Sequence, residues 1–311
     1  MTSPPDPATQ HGLQLLLLAL GVAIVAGDAM ILALLIAGVV RRRPVLAPTW
    51  SVSHVLLGIQ VVGAAVLGVG LVGTILALFL DRGAAVHFVE EYSPVGFYAV
   101  LLPAMLVQQL ALIAVPAALV FLLYRGNGTD LGLRCLDGHT WRQFGLGALI
   151  ALALLPVNDL VESLSTRWLL DPSHAPFAAA MRQLSEQASA TQLLAMLRAH
   201  PLPMALMVLI IGVIGPVAEE VFFRGLAYNA LKRRFGVPAG ILLSAAFFSA
   251  IHGNPLAFFP ILLMGIVLSG VYERTGNLAA PIGIHCANNL LVVALYLVAP
   301  DFSLWKSLTG H

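Results

Sequence analysis

The sequence predicts an all-α fold, a polytopic transmembrane bundle of about eight spanning helices, and three observations predict it. The 311 residues are 59% hydrophobic and 10% charged, with a mean hydropathy of +0.92. A soluble domain carries about 25% charged residues, and a chain this size has too much surface to hide so much apolar area from water. The apolar residues gather in runs long enough to cross a bilayer core of about 30 Å, which takes roughly 20 helical residues. The connections between runs alternate between more basic and less basic, ten Lys and Arg on one side against Arg82, Arg167, Arg182, Arg198 and Lys306 on the other, where Glu90 and Glu91 also lie. These features exclude a soluble globular protein and a disordered chain. A net charge of +1 supplies no field that would select nucleic acid. Cys135 and Cys286 form neither a disulfide framework nor a CxxC metal pair.

The polar start, Met1 to Gly12, has no basic residue and so lacks the head of a cleaved signal peptide. The run Leu13 to Val40 reads as a retained span. Further runs follow at Val55 to Leu80, Val95 to Tyr124, Phe144 to Leu164 and Leu202 to Phe223. Shorter runs at Val237 to His252 and Ala257 to Val271 are divided by Gly253-Asn254-Pro255, which is a turn or a break. Leu278 to Val298 is the last. Seven spans with a re-entrant pair is the alternative count.

Three regions result: N-terminal helices over 1–164, an extramembrane connector over 165–201, and a helical core over 202–311. In the connector, Phe177, Met181 and Leu184, then Leu193, Leu194 and Leu197, recur at helical spacing, the pattern of helices lying on a membrane surface. Arg41, Arg42, Arg43, Arg125, Arg134, Arg142, Lys232, Arg233, Arg234 and Arg274 follow odd-numbered runs. The positive-inside rule places that side in the cytoplasm and both termini outside.

Polar side chains inside lipid are expensive, so their positions carry information. Asp28, Gln108, Gln109, Asp159 and Glu162 are scattered over the first four runs; Asp28, mid-helix, serves either a proton path or packing between helices, and Asp159 and Glu162 lie near a helix end. The later runs concentrate Glu219, Glu220, Arg224, His252, His285 and Asn289 on three helices. Glu220 and Arg224 are four apart, acid before base, and pair on one helical face. Glu219 is turned about 100° away, which leaves it as the carboxylate available for general-base work. His285 and Asn289 lie one turn apart on a shared face. Both can donate hydrogen bonds, the imidazole by choice of tautomer, so they could steady an oxyanion or hold helices together. Glu, His and His-Asn on three helices are the parts of a hydrolytic site.

Three segments carry a resemblance. Glu219-Glu220-Val-Phe-Phe-Arg224 matches EExxxR, Phe248-Ser-Ala-Ile-His252 matches FxxxH, and His285-Cys-Ala-Asn-Asn289 matches HxxxN. In order and spacing they resemble the CPBP (CAAX protease and bacteriocin-processing, or Abi) family of type II CAAX-prenyl endopeptidase-like intramembrane proteases, over about Leu202 to Val298. The resemblance implies that Glu219 and His252 activate water and that His285 and Asn289 hold the oxyanion or complete the site. Glu220, Arg224 and Phe248 support them.

The expected function is therefore an intramembrane endopeptidase that hydrolyses a peptide bond of a membrane protein or peptide. A catalytically silent scaffold or immunity protein of the same fold is the alternative, and a proton-coupled transporter a further one, although the chain lacks that class's repeated halves. HExxH, GxSG and GxGD are all absent. No cofactor is favoured. Zinc is possible, and Glu219, His252 and His285 would then be its ligands. With 14 Arg to 2 Lys and abundant Ala, the chain looks like the product of a GC-rich bacterial genome and is expected in the cell's inner membrane, where a membrane protein or peptide is the substrate.

Overall fold

A computed structural model describes residues 51–80, 93–134, 137–187 and 190–298, and every regular element among them is a helix. The first apolar run with Asp28, the basic Arg41 to Arg43 and Cys135 lie outside the described residues. The helices are α1 (Val52–Leu80), α2 (Phe97–Leu123), α3 (Gly138–Leu169), α4 (Ala175–Gln187), α5 (Ala190–Leu197), α6 (Pro201–Phe235), α7 (Val237–Ala250), α8 (Phe258–Thr275) and α9 (Ala279–Val298). Six of them are long and apolar enough to cross a membrane; α7, at 14 residues, is not. At 1.5 Å per residue α7 reaches only about 21 Å. The chain is an integral membrane protein and a polytopic helical bundle, but the described residues supply six candidate spans rather than eight. Large side chains such as Leu71, Phe79, Leu149, Leu242 and Val292 point outward, as they must where the solvent is lipid.

The chain divides into two compact units. The first contains Leu56–Arg125. In it α1 and α2 meet at Gly73, where a Cβ would fall 2.2 Å from the Ala99 carbonyl oxygen. Ser93 caps the entrance to α2 by accepting from the Gly96 amide at 3.2 Å. Pro116 lies inside α2. Its missing N–H interrupts the α ladder, and a wider π segment, Ala118–Leu123, comes directly after it.

The second unit runs from Gly126 onward and holds every motif residue. Asp137 starts α3 by accepting from the Thr140 amide at 2.8 Å, a bond that holds its carboxyl below the ordinary value. The helix continues to Leu169, five residues past the apolar run, and carries Asp159, Glu162 and Arg167. Although the sequence grouped α3 with the N-terminal helices, it packs along α9. A Cβ on Gly147 would lie 2.3 Å from the Ala280 oxygen, and one on Gly283 would lie 2.2 Å from the Phe144 oxygen. These two glycines let the backbones touch.

The connector forms two amphipathic helices, as the pattern predicts, but they differ. Phe177 and Leu184 of α4 remain exposed, whereas Leu194 and Leu197 of α5 are buried in protein. At the opposite end, Lys232 of α6 pairs with Glu273 of α8 at 2.7 Å, and the Gly132 carbonyl accepts from the Leu278 amide at 2.9 Å. The segments carrying Arg134, Lys232 and Arg274 therefore converge on one end of this unit.

Candidate active site

Helix α6 carries two widened turns, Ile210–Ile214 and Val221–Tyr228, and between them runs Gly215–Glu220. Such π segments are uncommon and often mark functional sites. Glu220 is wholly buried, and its Oε1 accepts from Nη1 of Arg224 at 2.8 Å, the pair expected from the spacing. The same oxygen faces Nδ1 of His285, which arrives on α9 at 2.9 Å. Arg224 is gripped from two further helices. Its Nη2 donates to the Gly265 carbonyl of α8 at 3.3 Å, and its guanidinium carbon lies 4.6 Å from the centre of the Phe248 ring of α7. A cation over an aromatic face in a desolvated setting gains about 2 kcal/mol. One buried cation thus fastens α6, α7 and α8 around the site.

Glu219 lies on the neighbouring face with its side chain 17% exposed, and its Oε2 is 3.8 Å from Nε2 of His285. The sequence showed no cationic partner at helical spacing. The structure supplies a neighbour that can become cationic from another helix, although 3.8 Å exceeds hydrogen-bond reach. His252 comes just after α7, in the turn over 251–257. Its Nδ1 faces the Phe248 carbonyl at 2.7 Å, and because a carbonyl only accepts, Nδ1 carries the hydrogen. The Phe248 ring meets His252 edge-on at 4.8 Å and His285 edge-on at 5.6 Å. Both imidazoles therefore rest on one aromatic wall. No hydrogen bond joins His252 to Glu219 among the described residues.

Asn289 is differently engaged from the expectation. Its Nδ2 donates to the Ile211 carbonyl in the first π segment at 2.9 Å, so one of its two amide hydrogens is already used. Its Oδ1 accepts from Asn288 at 3.4 Å, and Asn288 in turn accepts from Asn158 of α3 at 3.5 Å. Asn158 and Asn288 were not singled out from the sequence. Two amides placed 130 residues apart carry no motif, and a polar residue facing a neighbouring helix was the available signal. The structure thus gathers Glu219, Glu220, Arg224, Phe248 and His285 tightly, with His252 and Asn289 on its borders. Among the described residues no three His, Cys, Asp or Glu side chains are grouped to hold a metal ion. A groove of about 390 Å³ borders the His252 turn, lined by Trp168, Leu169, Ser249, Gly253, Pro255 and Phe259 among others.

Residues 201–291 match the family described as type II CAAX prenyl endopeptidase Rce1-like. The match bears out the resemblance. The matched segment contains all three motifs and every residue of the cluster above. Two curated bacterial proteins are each similar to part of the chain. YdiL of Bacillus subtilis (strain 168), which carries the name of a membrane peptidase, is 28% identical over 92 residues, 30% of this chain and 38% of its own length. The membrane-embedded CAAX protease MroQ of Staphylococcus aureus (strain USA300) is 35% identical over 98 residues, 29% of this chain and 39% of its own. The chain spans under two fifths of the length of these curated relatives. No solved structure matches.

Proposed function

We propose that this protein is a membrane-embedded endopeptidase that hydrolyses a peptide bond of a membrane-associated protein or peptide. The observation that carries the reading is the arrangement of Glu219 beside His285, within a buried Arg224–Glu220–His285 array, in the Rce1-like segment. Glu219 takes a proton from water as the water oxygen bonds to the scissile carbonyl carbon. The carbonyl electrons move onto oxygen, and the remaining N–H of Asn289 is the donor available to that oxyanion. Collapse of the tetrahedral species breaks the C–N bond, and the proton that Glu219 took from water goes to the leaving amine. His252, with Nδ1 spent on the Phe248 carbonyl, has Nε2 left to carry that proton. Removing one oxyanion donor typically costs about 10²–10³ in kcat, and a general base contributes about 10²–10⁴.

The groove beside the His252 turn offers an apolar substrate segment a seat. In this reading the protein lies in a bacterial inner membrane, with the Arg134, Lys232 and Arg274 end in the cytoplasm and both termini outside. The test is a comparison of membrane peptidomes from cells producing the wild type and Glu219→Ala. Peptides ending at a common cleavage position are expected only with the wild type. Identical peptidomes, with both proteins present in equal amount, would sink the proposal.

A further inference from the structure

The geometry points to Asn158 of α3 as a positioning residue for Asn289: acting through Asn288, it holds the Asn289 carboxamide so that the second Nδ2 hydrogen is presented to the oxyanion. This inference rests on the hydrolytic reading above and deepens it, by bringing to the site a helix that lies outside the matched segment, 201–291. The direction of the relay follows from one carbonyl. In the first π segment of α6 the Gly215 amide donates to the Ile210 carbonyl, five residues back. In that register the next amide would serve Ile211, but the next residue is Pro216, which has no N–H. The Ile211 carbonyl instead accepts from Asn289 at 2.9 Å. A carbonyl only accepts, so the Asn289 atom that meets it is Nδ2. Its Oδ1 then faces the other way and accepts from Nδ2 of Asn288 at 3.4 Å, and Oδ1 of Asn288 accepts from Nδ2 of Asn158 at 3.5 Å.

The consequence is a fixed direction for one N–H. The terminal torsion of an asparagine is broad when nothing holds it. Asn289 is held at both ends, one hydrogen on Ile211 and the oxygen on Asn288, so its second hydrogen keeps a single direction. The two amide–amide contacts are long for hydrogen bonds, and they steer the group rather than anchor the helices. Asn158 also carries a cost that packing does not explain. Its Oδ1 is buried with no hydrogen-bond partner among the described residues, and an unmet buried acceptor is unfavourable. Helices α3 and α9 already meet backbone to backbone at Gly147 and Gly283, so an apolar side chain at 158 would continue that contact without the cost. What the amide adds is the donor to Asn288.

The test asks whether Asn158 acts through Asn289. Purified variants are compared on a synthetic peptide spanning the cleavage position found in the peptidome comparison, with kcat, KM and melting temperature measured for each. Asn158→Leu keeps the branched shape and removes both polar atoms. Its kcat should fall about 10-fold, less than the roughly 10²–10³ lost with an oxyanion donor itself. KM and the melting temperature should stay near wild type, because the donor acts in the transition state. Asn289→Ala should lose the larger amount, and adding Asn158→Leu to it should change kcat less than about twofold, since the residue it acts through is gone. Asn288→Leu breaks the same relay from α9 and should match Asn158→Leu, which keeps the test decisive if the α3 variant fails to fold. A full kcat in either Leu variant overturns the inference, as does a loss that repeats undiminished in the Asn289→Ala background. Glu219→Gln is run alongside. If it is inactive, these outcomes judge Asn158 alone; if it retains turnover, the hydrolytic reading falls and the role of Asn158 with it.

Discussion

Exchanging each of the two adjacent carboxylates for its amide separates their roles. Glu220 is wholly buried and serves two donors through one oxygen, Arg224 at 2.8 Å and His285 at 2.9 Å. Glu220→Gln keeps an acceptor but discharges it, so the buried Arg224 cation loses its counter-charge and retains only neutral acceptors such as the Gly265 carbonyl at 3.3 Å. Breaking a buried pair on one side costs about 3–5 kcal/mol. The retained amide oxygen places this change at the lower end, about 3 kcal/mol. At about 2–4 °C per kcal/mol for a domain of 150–250 residues, the melting temperature should drop by roughly 10 °C. Among the described residues Glu219 makes no hydrogen bond, its neighbour His285 being 3.8 Å away, and its side chain is 17% exposed. Glu219→Gln should therefore shift stability by less than about 1 kcal/mol, the range of weakly coupled pairs. Its turnover should nevertheless fall by at least about 10²-fold, because an amide cannot take the proton of the attacking water. Differential scanning fluorimetry in detergent and the peptide assay, applied to both variants, measure each of these effects. A stable, inactive Glu220→Gln beside an unstable, active Glu219→Gln would refute the assignment.

Three further outcomes are expected. A strong chelator should leave turnover of the purified protein largely intact, and activity that is abolished and then restored by zinc would place Glu219, His252 and His285 in a ligand role. A cysteine at Arg42 or Arg233 should react with an impermeant thiol reagent only from the cytoplasmic side, and one at Ser303 only from the other; the reverse pattern overturns the orientation. Gly283→Ala should lower stability by about 1–3 kcal/mol, the cost of overpacking, because its methyl would sit 2.2 Å from the Phe144 carbonyl oxygen. A melting temperature equal to the wild type would show that α3 and α9 can part at no cost.

The sequence named the residues that cluster around Glu220 more readily than the contacts among them. Glu220 and Arg224 pair as their spacing requires, since an i,i+4 contact is local and needs only a helix. The Glu220–His285 bond spans 65 positions, and no local rule could choose it over a bond to Glu219. The place of α3 was also illegible. Its apolar run resembles those before it, and what binds it to α9 is the absence of side chains at Gly147 and Gly283. A missing side chain reads equally as a weak point in a helix or as a contact. The amphipathic pattern foretold both connector helices but not that one would turn its leucines into protein. Periodicity shows that a face is apolar without showing what covers it.

The two widened turns of α6 set the rotational phase of everything along it. One residue added to an α-helix rotates the remainder of that helix by about 100°, so Ile210–Ile214 and Val221–Tyr228 divide α6 into three angular frames. The first holds Met207 in the protein interior, the second aims Glu219 and Glu220 at α9, and the third brings Lys232 to Glu273. For anyone redesigning this helix, length is thus the sensitive variable as well as chemistry. Deleting a single residue from Ile210–Ile214 would leave each carboxylate in the chain and swing both away from His285, a disabled site with an intact inventory.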